Sequence, residues 1–184
     1  PPSVAAPGLC PRAGVLQNPT ADNTVVFDPP LSDAKQSAIR RMGVGIENKV
    51  VLRYLQPFWP EAEAYLQCSD PRVRFVNLHA FGKTGVIVAH CGPPFADGFG
   101  NMTDAQVVEG VHALLAQACG FSTAAEHQAH GRANGKAADL APAPVESRVT
   151  RWEQDPYARG SYSFLALGAT DRTREALQAP DWRE

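Results

Sequence analysis

The sequence predicts an α+β fold: a mixed, mainly antiparallel sheet with two amphipathic helices packed on it. Three observations carry this. Short alternating or β-branched runs recur at 50–54, 74–80, 86–91 and 145–153. Two segments, 32–42 and 103–119, place apolar residues at helical spacing behind good cap residues. Third, Asp155-Pro156 and Gly160 punctuate an aromatic-rich run at 151–164. Proline fixes its own φ and biases the preceding residue away from helix, and glycine permits backbone that a Cβ forbids. That run reads as strand, tight turn, then a second extended segment.

Taken in order, residues 1–12 form an extended arm, rich in Pro, Ala and Gly at 1–11 and without periodicity. A β-branched run at 24–27 is a strand candidate. Ser32 is a good N-cap with Asp33 in the first turn. Ala34, Ala38, Ile39 and Met42 follow at helical spacing, and Gly43 suits the position after the helix. Gly43-Val44-Gly45 superficially looks like a dinucleotide fingerprint. It follows a helix and leads into a strand, the reverse of what a phosphate-cradling loop needs, so it reads as turn and strand.

Pro57-Phe58-Trp59-Pro60 ends the strand at 50–54, and the polar stretch 61–72 reads as loop. Strands at 74–80 and 86–91 flank a glycine-rich segment, 81–85, short enough for a hairpin connection. Pro93 and Pro94 block an early helical turn. Thr103 to Gln106 spells a capping box. Val107, Val108, Val111, Leu114, Leu115 and Ala118 then make one apolar stripe that stops at Gly120. His112, at the stripe's edge, reads as surface or satisfied core. Residues 122–144 are unpatterned and read as a loop insertion, with His127 and His130 as a solvated pair. The last features are a short helix at 173–177 and a tail, with 171–184 set apart from the domain at 13–170.

Composition bounds the function. The chain has 184 residues, enough for a real core, and its 44% hydrophobic and 20% charged residues are ordinary for a globular domain. A net charge of -2 argues against a nucleic-acid-binding surface that dominates the chain. No apolar run reaches transmembrane length, and no signal-peptide core is visible. Cys10, Cys68, Cys91 and Cys119 form no CxxC pair, so no zinc site of standard spacing is expected. Free thiols suit a reducing, intracellular compartment. A first residue Pro1 fits a removed organelle presequence, a removed tag or a longer parent protein.

The run Arg151-Trp152-Glu153-Gln154-Asp155-Pro156-Tyr157-Ala158-Arg159-Gly160-Ser161-Tyr162-Ser163 resembles the R-W-x-x-D-P-x-A-x-G-S-Y-S signature of flavin-dependent amine oxidases. It is most similar to the histone lysine demethylases and polyamine oxidases. Other segments resemble the family in the same order. Gly14-Val15-Leu16 partly matches its P-L-G-V-L, Phe27 to Leu31 its F-x-P-P-L, and Gly43 to Leu52 its G-F-G-x-x-N-K-V-V-L. Pro57 to Pro60 matches its P-F-W-P, whereas Gly92 to Gly98 departs from the family pattern.

The resemblance implies a substrate-binding domain that oxidises an amine C–N bond to an imine with FAD. Lys49 matches the family lysine that holds a water at the flavin N5. Trp152 and Tyr157 would pack near the flavin ring, and Tyr162 would wall an aromatic cage for the amine. Ser161 stands where monoamine oxidases carry a cysteine joined covalently to the flavin. The family's G-x-G-x-x-G and its F-A-G-E-H-T segment do not occur in the sequence. FAD is therefore expected only if a flavin-binding domain or chain completes the site, and none is expected for this chain alone. The expected partner is that flavin-binding part or another protein, over a face carrying Trp152, Tyr157 and Tyr162. The alternative is a catalytically inactive structural or interaction subunit derived from an amine oxidase.

Overall fold

The computed structural model describes residues 13–17, 25–129 and 140–181. Its elements run α1 (Ala13–Gln17), α2 (Asp33–Arg41), β1 (Met42–Gly45), β2 (Asn48–Arg53), β3 (Tyr65–Gln67), β4 (Val73–Asn77), β5 (Val86–Cys91), α3 (Asp104–Ala118), α4 (Ala124–Ala129), β6 (Glu146–Val149), β7 (Tyr162–Leu165) and α5 (Asp171–Gln178). Two 3-10 turns, Leu78–Phe81 and Ala96–Asn101, join them. The strand pairings are antiparallel, as the sequence predicts. The chain divides into two compact units. One is Pro1–Ile46 with Trp152–Glu184, and the other is Glu47–Arg151.

In the first unit, α2 starts where its cap residue requires: the Lys35 amide donates to Ser32 Oγ at 3.3 Å. Asp181, expected in a tail, instead fixes this cap. The Ser32 amide donates to Asp181 Oδ2 at 2.8 Å, and the Ser32 hydroxyl donates to Oδ1. Helix α2 runs into β1 without a loop, because Met42 already has extended backbone at φ −71, ψ 143. Gln17 of α1 donates to the Ile39 and Met42 carbonyls, which ties α1 to the junction of α2 and β1. The strand expected at 24–27 does not form over 25–27, and Thr24 lies outside the described residues. Val26 is 82% exposed, and the prolines at 29 and 30 remove the donors that pairing would need.

The second unit is a five-stranded sheet in the order β3-β4-β5-β2-β6. Asn48, Val50 and Leu52 alternate with half-buried Lys49, Val51 and Arg53. Residues directly opposite on antiparallel strands share a face, so Cys91, Ala89 and Ile87 of β5, and Val73, Phe75 and Asn77 of β4, join the buried side. Helix α3 packs on β2 and β6 and buries Val107, Val111, Leu115 and Ala116. Its capping box forms as read: the Gln106 amide donates to Thr103 Oγ1 at 3.3 Å, and the Thr103 amide donates to Gln106 Oε1 at 2.8 Å.

Several expectations need correction here. The stretch 61–72 is not all loop: Tyr65–Gln67 pairs with β4 as an edge strand whose side chains stay largely exposed. Such a strand is made by its neighbour's free edge rather than by a buried apolar face. The strand expected at 74–80 ends at Asn77, whose side chain accepts from the His79 amide and turns the chain into a 3-10 segment. The segment 122–144 contains α4, nucleated by a second capping box between Thr123 and Glu126. That T-x-x-E spelling was legible beneath the alanine-rich composition. The strand expected at 145–153 is confined to Glu146–Val149. β6 and β7 flank the turn but lie in different sheets, so they do not form a β-turn-β hairpin. Residues 1–12 and His130 lie outside the described residues.

Candidate functional site

The half-buried face of the five-stranded sheet carries Lys49. Register places Lys49 opposite His90, and His90 opposite Arg74, so these three form one row across β2, β5 and β4. The next row on the same face is Val51, Val88 and Val76, ending at Tyr65 of β3. A polar, cationic row thus adjoins an apolar one, about 6.6–6.8 Å away along the strands. Glu47 reaches the polar row: its Oε1 lies 2.8 Å from His90 Nδ1, and both side chains are 28% accessible. Lys49 is held by its backbone. Its amide donates to Thr150 Oγ1 at 2.7 Å, and its carbonyl accepts from the Thr150 amide at 2.9 Å.

On the other unit, the turn that follows Trp152 is built by Asp155. Its carbonyl accepts from the Ala158 and Arg159 amides, and its carboxylate accepts from the Tyr157 amide at 2.8 Å. Gly160 has φ +140, and a Cβ there would stand 2.3 Å from Val44 Cγ1, so both conformation and space require glycine. Trp152 is half-buried, Tyr157 is 81% exposed and Tyr162 is 46% exposed. Gly45 pairs with Tyr162 and Gly43 with Phe164. A Cβ on Gly45 would lie 2.5 Å from Tyr162 Cζ, and one on Gly43 2.3 Å from Phe164 Cζ. The glycine pair is therefore a flat platform under two aromatic rings, whose centroids are 6.4 Å apart. This is why the sequence spells Gly-Val-Gly in a strand: it makes room for rings rather than for phosphate. Gly45→Val is expected to dislodge the Tyr162 ring, read as a changed tyrosine near-UV circular dichroism with far-UV signal retained. An unchanged near-UV spectrum would contradict the platform.

The structure adds residues that the sequence did not flag. Arg151 locks the entry to α3. Its guanidinium donates to the Met102 carbonyl at 2.9 Å, to the Phe99 carbonyl, and to Asp104 Oδ1 at 2.7 Å. His112 proves to be satisfied core: its Nδ1 lies 2.9 Å from the buried Tyr54 hydroxyl. Burial lowers the His112 pKa, while Glu126 and Glu109 oppose the shift. The folded chain therefore binds this proton more weakly than the unfolded chain. The stability it contributes is full above the unfolded value of 6.5 and is lost as pH falls through the lower folded value. The urea midpoint should drop between about pH 7 and about pH 5, and less steeply in His112→Gln. Equal slopes would show that His112 is not the responsible group.

Two cavities accompany these features. One of about 930 Å³ lies in the Glu47–Arg151 unit beside β6 and α3, bordered by Val51, Val108 and His112, and does not include Lys49. The other, about 210 Å³, lies beside Gly160, Ser161 and Tyr162. Burial pushes the Cys91 thiol up to about 12, and Cys68 and Cys119 are also free thiols raised by burial. No group of three metal-ligating side chains occurs among the described residues, and no helix among them is long and apolar enough to cross a membrane.

Comparison with known proteins completes the description. The family described as flavin containing amine oxidoreductase matches residues 10–183. A possible lysine-specific histone demethylase 1 of Drosophila melanogaster is 36% identical over 168 residues, covering 86% of this chain and 16% of the relative. A human peroxisomal N(1)-acetyl-spermine/spermidine oxidase is 28% identical over 173 residues, covering 84% of this chain and 30% of the relative. A putrescine oxidase solved with putrescine superimposes with a TM-score of 0.63 at 19% identity, over 94% of this chain and 34% of that one. Cyclohexylamine oxidase from Brevibacterium oxydans does so with 0.58 at 18% identity, over 92% and 34%. The chain spans about a third or less of the length of these proteins.

Proposed function

Because the chain belongs to the flavin containing amine oxidoreductase family, we propose that it is the substrate-binding part of a flavin-dependent amine oxidase. A flavin, if seated by a nucleotide-binding domain or chain, would supply the hydride acceptor for oxidation of the amine C–N bond to an imine. The observation that carries this reading is Lys49. It lies on the half-buried sheet face, next to an apolar row, inside the segment that resembles the family's lysine-bearing strand. A lysine there can donate to a bound water, and its neighbours Val51 and Val88 keep bulk water from the alkyl part of the substrate. On the other unit, Tyr162 offers an exposed ring face that attracts a cationic amine by cation–π interaction, and the Trp152 and Tyr157 rings offer packing surface for a planar group.

The aromatic residues of the first unit suit packing against a planar ring and a cationic amine, not a pyrophosphate. Gly43 and Gly45 lie in an antiparallel strand beneath aromatic rings, and the second unit's sheet has no parallel βαβ crossover among the described residues. The exposed Tyr157, Tyr162, Phe164 and Leu167 support a protein partner over this surface, which we assign to the flavin-binding part. The test is anaerobic mixing of the flavin-loaded enzyme with amines. Bleaching of the flavin is expected; failure of every amine to reduce it would favour the inactive-subunit reading. Ser161 cannot form a thioether, so acid precipitation should leave the flavin in the supernatant. Flavin retained in the pellet would oppose this.

A further inference from the structure

We propose that Thr150, its hydroxyl oriented by Asn48, is a positioning residue that fixes Lys49 for the reaction. The proposal rests on the reading that Lys49 stands at the reacting centre. The ladder between β2 and β6 runs to Val50 opposite Val149, so the next pair along is Lys49 with Thr150. The Lys49 carbonyl accepts from the Thr150 amide at 2.9 Å. A side chain makes the return bond: the Lys49 amide donates to Thr150 Oγ1 at 2.7 Å. Both main-chain groups of Lys49 therefore point toward β6 and away from β5. In an antiparallel sheet this makes Lys49 and His90 a non-hydrogen-bonded pair, so β5 contributes no main-chain bond at this residue. Thr150 takes both.

The hydroxyl has a defined direction. An amide can only donate, so the Thr150 oxygen accepts from Lys49, and its hydrogen goes to Asn48 Oδ1, 3.2 Å away. Asn48 is fully buried, on the face of β2 opposite to Lys49, where a satisfied polar network is rigid. Beyond Thr150 the Arg151 guanidinium donates to the Met102 carbonyl at 2.9 Å and to Asp104 Oδ1 at 2.7 Å, which anchors the departing chain to the entry of α3. The hydroxyl is thus held from the sheet and from the helix. With a side-chain oxygen in place of a ladder carbonyl, the chain leaves the sheet at Thr150 without releasing the Lys49 amide. A lysine head rides on a flexible four-carbon stem, so a fixed backbone is where its placement starts. A shift of about 1 Å at a reacting group can cost about 10²-fold in rate. Valine has the same shape and suits a strand equally well, so what threonine adds at this position is the hydroxyl.

The experiment uses the flavin-loaded enzyme and compares Thr150→Val and Thr150→Ala, which remove the hydroxyl, with Thr150→Ser, which keeps it. In anaerobic stopped flow with 1,4-diaminobutane, the limiting reduction rate should fall about tenfold in the valine and alanine variants. The apparent Kd should change less than about threefold, and Thr150→Ser should recover most of the rate. In a Lys49→Met background Thr150→Val should add less than about twofold, because the hydroxyl acts through the lysine. Hydrogen–deuterium exchange needs no turnover. It should show the Lys49 amide exchanging faster in Thr150→Val than in the wild type and Thr150→Ser, with α3 unchanged. Undiminished reduction by both hydroxyl-free variants, an equal loss in the Lys49→Met background, or an unchanged Lys49 amide overturns the assignment while a slow Lys49→Met leaves the lysine's role standing. Reduction by Lys49→Met at the wild-type rate would overturn the reading of Lys49, and this assignment with it.

Discussion

Lys49→Met in the flavin-loaded enzyme is expected to slow anaerobic flavin reduction by amines about 10²–10⁴-fold, the range in which a positioned proton-handling group acts. Methionine keeps the length and apolar stem of lysine, so the half-buried position opposite His90 is filled much as before. What is lost is the ammonium and any water that it would hold. The hydrogen bonds that hold this position come from the backbone and Thr150, and they survive the substitution. A fall in the limiting reduction rate with little change in apparent Kd would mark an interaction made in the transition state. Lys49→Arg keeps the charge but not the compact head, and should restore only part of the rate. If Lys49→Met reduces its flavin at the wild-type rate, the lysine has no part in the reaction.

The second large effect is on stability. Asn77 is fully buried at the end of β4, and its side chain is a hub. Oδ1 accepts from Trp59 Nε1 at 2.9 Å and from the His79 amide at 3.1 Å. Nδ2 donates to the Glu61 and Glu63 carbonyls at 2.9 and 2.8 Å. Asn77→Ala leaves these four partners without the amide and opens a small void beside Trp59. Each buried group that loses its partner costs about 1–3 kcal/mol, and some will find water, so a net loss on the order of 3 kcal/mol is expected. Urea unfolding followed by tryptophan fluorescence reads it as a lowered midpoint with unchanged slope. Trp59→Phe removes one donor and should cost clearly less. Equal losses would place the energy in Trp59 packing rather than in the amide hub. The hub joins the segment at 59–63 to the sheet, so its loss should be felt beyond one side chain.

Much of the architecture was legible in the sequence. The helix at α3 announced itself through a T-x-x-Q box and a long apolar stripe, because the 3.6-residue period and its cap are local properties. Strands β2 and β5 were legible for the same kind of reason, since one of their faces is wholly buried and each carries β-branched residues, Val50 and Val51 in β2 and Val86, Ile87 and Val88 in β5. The edge strand β3 was not, because nothing in three exposed residues says that β4 lies beside them. Helix α4 was hidden by composition although its cap was spelled out.

The candidate site divides in the same way. By itself the sequence determined the α+β class, the two capped helices, the family resemblance and the candidates Lys49, Trp152, Tyr157 and Tyr162. Residue identity and local spacing carry all of these. Only the tertiary structure decided that Lys49 faces His90, that Glu47 reaches that histidine, and that a valine row runs beside them. Strand register sets these neighbours, and between Lys49 and His90 it links residues 41 positions apart. It also decided that Gly43 and Gly45 lie under Phe164 and Tyr162, more than 110 residues on, which turns an apparent nucleotide motif into a floor for aromatic rings. Pairing between distant strands depends on the burial of whole faces, and no local spelling encodes it.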